Sequence, residues 1–282
     1  PELPPETYRK LPATLKEINI SGGEPFLRLD LPDILKAMKE TCPRARFIIS
    51  SNGFLVSRIK RVLPELLKIE PEIGINISID GYGDMHERVR RIPKAWEKNV
   101  EVIDFCKKIG VKNIGLAFTL NNENFRDTRK LYDFAQKKGV KFSMAVAQDS
   151  EHYFGGAGYK TKIAENEVKA EFDYLLQQML KSAKPKDWAR AYFINGFFYL
   201  DPRGDVYPSV ADNLVMANIN DYDSFEDLWF SDKADKARKD LEGYEADYWF
   251  VCTARPAMKR NPLKVAKWIF EKKARRPSKR GV

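Results

Sequence analysis

Cysteine and histidine are scarce in this sequence, three and two in 282 residues, and each shortage excludes something. Cys42, Cys106 and Cys252 are odd in number and far apart, so they form neither a disulfide framework nor a closely spaced metal-binding pair. With only His86 and His152 available, a histidine-based metal site would need carboxylate partners that no spacing brings forward. No apolar run reaches the roughly 18 residues that a membrane-spanning helix needs, and no signal peptide opens the chain. The expectation is a cytoplasmic protein without internal repeats.

A net charge of +9 at first suggests a nucleic-acid partner, but its distribution argues otherwise. Residues 259–282 carry ten Lys or Arg and one acid, Glu271, and the other 258 residues hold 39 of each sign. The body is therefore neutral, and no nucleic-acid partner is expected. The tail reads as a solvated terminus, or as a weak contact for an anionic surface. Hydrophobic residues make up 43% of the chain, enough for a sizeable core, which excludes wholesale disorder.

The first 150 residues alternate β-rich and helical stretches. Strands are predicted at 15–21, 46–51, 74–80, 113–120 and 141–147, and helices near 31–40, 56–69, 84–109 and 124–138, the last two ending before Gly110 and Gly139. This rhythm predicts right-handed parallel crossovers and an α/β sheet or barrel. Along the strands the side chains sort with a period of two. Ile75, Ile77 and Ile79 oppose Asn76, Ser78 and Asp80; Ile18 and Ile20 oppose Glu17, Asn19 and Ser21; Phe142, Met144 and Val146 oppose Ser143, Ala145 and Ala147. One apolar and one small or polar face suits a sheet curled around a polar lumen, with its helices outside. An antiparallel sheet with one wet face is the alternative, and the intervening helices argue against it.

Further along, a glycine-rich loop at 154–158 and a helix near 165–182 precede a change of texture at Lys184. Aromatic strands at 192–201 and 206–208 flank a Pro202-Arg203-Gly204-Asp205 turn, a hairpin signal, and a helix follows near 224–231. The expected division is 1–183 for the barrel, 184–258 for a small α+β extension and 259–282 for the basic tail.

Ligands of parallel α/β folds lie at the carboxyl ends of the strands. Those ends read Ser21-Gly22-Gly23-Glu24-Pro25, Ser51-Asn52-Gly53, Ser78-Ile79-Asp80-Gly81 and Thr119-Leu120-Asn121. Two glycines admit a close ligand, and the carboxylates and hydroxyls suit a cationic group and ribose hydroxyls. In this order and spacing the series resembles the radical S-adenosylmethionine (radical SAM) enzymes. The segment Leu200 to Pro208, with Ser224-Phe225-Glu226-Asp227-Leu228-Trp229, resembles their SPASM or twitch extension.

The resemblance implies a partial (β/α)6 barrel, here with five of its six strands. It implies an Fe-S oxidoreductase-like enzyme in which a [4Fe-4S] cluster and S-adenosylmethionine yield a 5′-deoxyadenosyl radical that takes a hydrogen from substrate. It places Gly22, Gly23, Glu24 and Pro25 at the methionine end, Ser78 and Asp80 at the ribose, Asn52, Thr119 and Asn121 nearby, and the backbone of 144–147 beside the adenine. A small-molecule or peptide substrate and an electron donor such as ferredoxin or flavodoxin are implied as well.

The chain departs from the family in its cysteines. No Cys-x3-Cys-x2-Cys motif precedes Ser21, so the catalytic cluster is expected to be absent from the chain as it stands, through truncation or loss. The extension's four cysteine positions appear as Ser209, Tyr244, Tyr248 and Cys252, leaving Cys252 as the one remnant of a metal site and reading more simply as a buried hydrophobe. Cys42 and Cys106 are expected in the core. His86 either approaches the cofactor or merely starts a helix. Phe193, Phe197, Phe198 and Tyr199 line a pocket or fill the core. Two further readings compete: a non-catalytic binding module that kept the barrel and lost its iron, and an unrelated TIM-barrel enzyme with a phosphate site.

Overall fold

The structure is a computed structural model, and it describes residues 2–147, 167, 170, 171, 174, 198–207 and 214–242. These all belong to one compact unit that takes in residues 1–175 and 198–244. The expected loop at 154–158 and the positions of His152, Phe193, Phe197, Ser209, Tyr244, Tyr248 and Cys252, with the basic tail, lie outside the described residues.

Five parallel strands form the main sheet in the order of the chain: β1 (Glu17–Ile20), β2 (Arg46–Ser51), β3 (Gly74–Ser78), β4 (Asn113–Leu120) and β5 (Lys141–Val146). Ile20 pairs with Ile49, Ile49 with Ile75, Ile75 with Ile114, and Leu116 with Phe142. Sequential order means that every right-handed crossover moves the same way, so all helices fall on one face of the sheet. A doubly wound sheet would reverse direction and cover both.

The helices are α1 (Leu31–Thr41), α2 (Val56–Ile69), α3 (Asp84–Arg90), α4 (Ala95–Lys108) and α5 (Thr128–Lys138). All but α3, which buries only His86, bury residues three and four apart, such as Ile34, Leu35 and Met38 on α1 and Ile59, Val62, Leu63 and Leu66 on α2. These residues join Phe47, Ile49, Ile75, Ile77, Leu116 and Phe118 in one core. Full burial of each such side chain contributes about 1.5–3 kcal/mol. The opposite face, with Asn19, Ser50, Asn76, Ser78 and Thr119, stays partly or fully exposed. Five strands of a partial barrel with one polar, open face are therefore present.

The single helix expected at 84–109 is two. Pro93 disfavours helical backbone at Ile92, and Arg91 and Lys94 both adopt left-handed conformations, with φ of 55° and 57°. The helix ends anticipated before Gly110 and Gly139 are in place, each closed by a bond from the next residue back into the last turn: Val111 N–H to Cys106 O and Val140 N–H to Ala135 O, both 3.0 Å.

A second, antiparallel sheet combines β6 (Tyr199–Leu200), β7 (Asp205–Tyr207) and β8 (Ala217–Asn218). The Asp201 carboxylate ties its turn by accepting the Arg203 and Asp205 N–H groups at 2.8 and 2.9 Å. The expected hairpin is there, and β8 adds a strand that the sequence did not announce. Two helices follow, α6 (Phe225–Trp229), capped by Ser224 accepting the Asp227 N–H, and α7 (Asp232–Glu242). Phe198 and Tyr199, read as pocket or core, resolve differently. The Phe198 ring lies 4.3 Å from Phe225, in the small core built on Val206, Ile219, Phe225 and Leu228, whereas Tyr199 pairs with Tyr207 across the hairpin.

Candidate functional site

The carboxyl ends of β1 to β5 form a rim that buried polar side chains stitch together. Gly22 and Gly23 are exposed, Gly22 has a φ of 135°, and a Cβ added at either would meet no atom within 4 Å. The turn after β1 is thus an open cradle of backbone. Behind it, the Glu24 carboxylate points inward, accepting the Ser51 hydroxyl at 2.9 Å, the Asn52 N–H at 2.8 Å and the Phe26 N–H at 3.2 Å. It locks the end of β1 to the end of β2. Pro25 is buried and starts the short 3-10 helix Pro25–Leu27. Arg58 on α2 grips that helix from below, donating to the carbonyls of Phe26 and, at 2.8 Å, Arg28.

Asn99 joins β2 to β3. It is fully buried on α4 in line with Ala95, Val102 and Cys106, donates through Nδ2 to Ser78 O at 2.9 Å, and lies over Gly53. Its amide also sits 3.0 Å from His86 Nε2. His86 Nδ1 accepts the Asp80 N–H at 2.9 Å, so the proton of the neutral ring is on Nε2. Asn99 Oδ1 has no partner. Turning the amide over would offer that oxygen to Nε2–H but set it against the Ser78 carbonyl. One buried group stays unsatisfied either way, at a cost of about 1–3 kcal/mol. Burial, with the nearby Arg90 charge, lowers the His86 pKa to about 4, so the ring is neutral at pH 7.

Asp80 joins β3 to β4 and uses every polar group it has. Its N–H meets His86, its carbonyl accepts from Asn124 Nδ2 at 2.9 Å, its Oδ1 accepts the Thr119 N–H at 3.1 Å, and its Oδ2 lies 2.6 Å from Arg90 Nε. Burial pushes its pKa up, against the opposing pull of Arg90 and the Thr119 N–H. Asn124, fully buried, also donates to Thr119 O at 2.9 Å and accepts the Asn121 N–H at 2.6 Å. The Asn121 side chain caps that loop by accepting the Glu123 and Asn124 N–H groups. A bond from Ala147 N–H to Leu120 O closes β5 onto β4.

All nine expected cofactor residues therefore gather on one rim, in two sets. Gly22, Gly23, Ser78 and Thr119 present backbone or hydroxyls at the surface. Glu24, Pro25, Asp80 and Asn121 hold the rim in shape, and the half-buried Asn52 turns its Oδ1 to the Phe54 N–H. Arg58, Arg90, Asn99 and Asn124 escaped the sequence reading. A buried asparagine in the apolar stripe of α4 was the signal for Asn99, and the four-residue spacing of His86 and Arg90 on α3 the signal for that pair.

Among the described residues no three His, Cys, Asp or Glu side chains come together to hold a metal. Cys42 and Cys106 are buried, and burial raises both thiols, Cys106 to about 12. Thiolates are what an iron-sulfur cluster needs, so these residues do not fit one. The open glycine turn beside a polar face does fit S-adenosylmethionine. No helix among the described residues is long and apolar enough to cross a membrane.

A singly wound parallel sheet with a glycine cradle on the rim of its open polar face defines a partial-barrel α/β fold. Residues 1–135, just under half of the chain, match the model of the Radical SAM superfamily. The Fe-coproporphyrin III synthase of Methanosarcina barkeri is 32% identical over 126 residues, 44% of this chain and 29% of that protein. The pre-heme d1 synthase of Dinoroseobacter shibae is 29% identical over 182 residues, covering 62% and 41%, and the GTP 3′,8-cyclase of Helicobacter pylori 22% over 212 residues, covering 72% and 62%. The chain spans less than two thirds of the length of each. The crystal structure of Streptococcus suis SuiB bound to precursor peptide SuiA superposes with a TM-score of 0.58 at 15% identity, over 82% of this chain and 57% of that one. That likeness is one of fold.

Proposed function

We propose that this rim binds S-adenosylmethionine and that the chain serves a radical SAM enzyme. The observation that carries the reading is the exposed Gly22-Gly23 turn, braced from behind by Glu24 on the rim of a polar open face. The Gly22 and Gly23 backbone and the Ser78 and Thr119 hydroxyls would hold the cofactor. Asn52, Asp80 and Asn121 set the rim's spacing, and Glu24 with Pro25 orients the glycines. When bound and reductively cleaved, S-adenosylmethionine supplies a radical that removes a substrate hydrogen. The described residues offer the [4Fe-4S] cluster no seat, so the work assigned to them is binding and orientation. A small-molecule or peptide substrate fits the superfamily and the peptide-bound fold relative, and with it we propose a ferredoxin- or flavodoxin-like donor and a cytoplasmic location.

Equilibrium dialysis of the chain against S-adenosylmethionine, without oxygen, tests this. Measurable binding that is lost in Gly23→Val is expected; no binding up to millimolar cofactor defeats the reading. The burial of Cys42 and Cys106 favours a second reading, binding without redox chemistry. Treatment with iron and sulfide separates the two: tighter binding and 5′-deoxyadenosine under dithionite mark the enzyme, and tight binding already present without iron marks the binding module.

A further inference from the structure

The amino ends of the strands, opposite the rim, gather charge of one sign on one side. Two neighbouring connections there have nearly the same sequence: Lys107-Lys108-Ile109-Gly110-Val111-Lys112 from α4 into β4, and Lys137-Lys138-Gly139-Val140-Lys141 from α5 into β5. They interlock. Lys107 Nζ donates to Lys138 O at 2.5 Å, Lys138 Nζ to Asp104 Oδ1 at 2.6 Å, and Lys141 Nζ to Asn113 Oδ1 at 2.9 Å. All of these lysines are exposed except Lys138, which is half-buried. The carboxylates that meet them are Glu72, on Lys112, and Asp104, on Lys138. Lys107, Lys108, Lys137 and Lys141 are left without a counter-charge among the described residues. Residues 1–258 are neutral as a whole, so this excess is balanced by acid elsewhere and the charge of the body is segregated.

Helix dipoles do not account for it. A cation in the last turn contributes about 0.3–1 kcal/mol, and the effect fades beyond that turn. α1 and α2 end with one lysine each, Lys39 and Lys68, whereas α4 and α5 end with two. Lys112 and Lys141 lie past the glycines, where no helix rewards them.

The make-up of the patch selects its partner. It contains no arginine and so lacks the planar fork that grips phosphate oxygens two at a time. No exposed ring lies on it for a base to stack on, because the exposed large apolar side chains among the described residues are Leu27, Leu29, Tyr82, Val215 and Phe230. Specific protein interfaces are depleted in lysine and built around buried aromatic anchors. Hydrated point charges without apolar anchors suit a layer of anionic headgroups, near which each lysine contributes about 1 kcal/mol.

We propose that these two turns form a peripheral contact for an anionic lipid surface. Contact made through them leaves the glycine rim, about 25 Å away along the length of β4, facing away from the bilayer. The proposal does not depend on the S-adenosylmethionine reading.

Flotation of the full chain with vesicles of pure phosphatidylcholine, and with vesicles containing about one third phosphatidylglycerol, tests it. The variant Lys107→Gln/Lys108→Gln/Lys137→Gln/Lys141→Gln removes the unmatched charges. A second, Lys36→Gln/Arg61→Gln/Lys94→Gln/Lys236→Gln, removes the same charge from exposed positions elsewhere and keeps the patch. Thermal melts confirm that both are folded. Wild type should bind only the anionic vesicles and be released by about 0.5 M salt. The first variant should partition at least about tenfold less than wild type, and the second should stay within about threefold. Equal losses in the two variants would show a response to net charge alone, and an unchanged first variant would place the contact in the basic tail. Either result overturns the proposal, as does a wild type that binds neither vesicle. Tighter binding to duplex DNA than to anionic vesicles at the same salt, lost in the first variant, assigns the patch to nucleic acid and overturns the lipid contact.

Discussion

His86 shows how one residue's surroundings set its chemistry. An imidazole with no exposed surface, accepting a backbone N–H on Nδ1, cannot take a second proton without breaking that bond. Its pKa of about 4 lies below the ordinary 6.5. Between those values the unfolded chain binds a proton that the native state refuses, so stability declines as pH falls from about 6.5 to about 4 and levels below. The contribution reaches about 3 kcal/mol. Asp80, whose pKa is raised, acts in the opposite sense and offsets part of the loss at the acid end. Urea denaturation at pH 7, 5.5 and 4 checks this: the wild type should lose midpoint more steeply than His86→Gln, and parallel slopes would contradict the assignment. At pH 7 the variant itself should be destabilised by about 2–3 kcal/mol, because the Asp80 N–H loses its acceptor in the interior.

At the scale of elements, the rim depends on tight approaches between strand ends and helices. Gly53 has a φ of 77°, and a Cβ there would come within 2.3 Å of Asn99 Oδ1. Gly53→Ala should cost about 2–4 kcal/mol, through backbone strain together with displacement of the Asn99 amide from Ser78. A fall in melting temperature measures it, and a neutral result would mean that β2 and β3 are not joined there. The turn between α3 and α4 offers the reverse case. Lys94 is exposed and held at a φ of 57°, a conformation that costs a side-chain-bearing residue about 1–2 kcal/mol and glycine little. Lys94→Gly should therefore stabilise the protein by about 0.5–1 kcal/mol, read from the same melts.

For the molecule as a whole, the edge of the main sheet matters most. Among the described residues β1 pairs with β2 alone, and an open edge is a template for another strand. The Glu17–Arg46 ion pair sits at one end of that edge, and Asn19 is exposed in its middle. Sedimentation velocity across a hundredfold range of concentration should show reversible self-association, reduced in Asn19→Lys, which places a charge on the strand. A single species at every concentration in the wild type would show that the edge is protected.

Much of this was written in the order of residues. The period of two along Ile75 to Ser78 and the alternation with helices determine a parallel sheet with one apolar and one polar face, because alternate side chains must point to opposite sides. The glycine pair at 22–23 and the polar strand ends mark the rim, since side-chain type and spacing are local properties. Tertiary structure alone decided what those polar groups do. Glu24 and Asp80 look like ligand-binding carboxylates in sequence, but which donors surround them depends on Ser51, Thr119 and Arg90, brought in from other elements. The division of the 84–109 helix likewise follows from how Arg91 to Lys94 turn. Hydrophobic pattern is set by neighbours along the chain, whereas a carboxylate's partners are set by neighbours in space, and only folding brings those together.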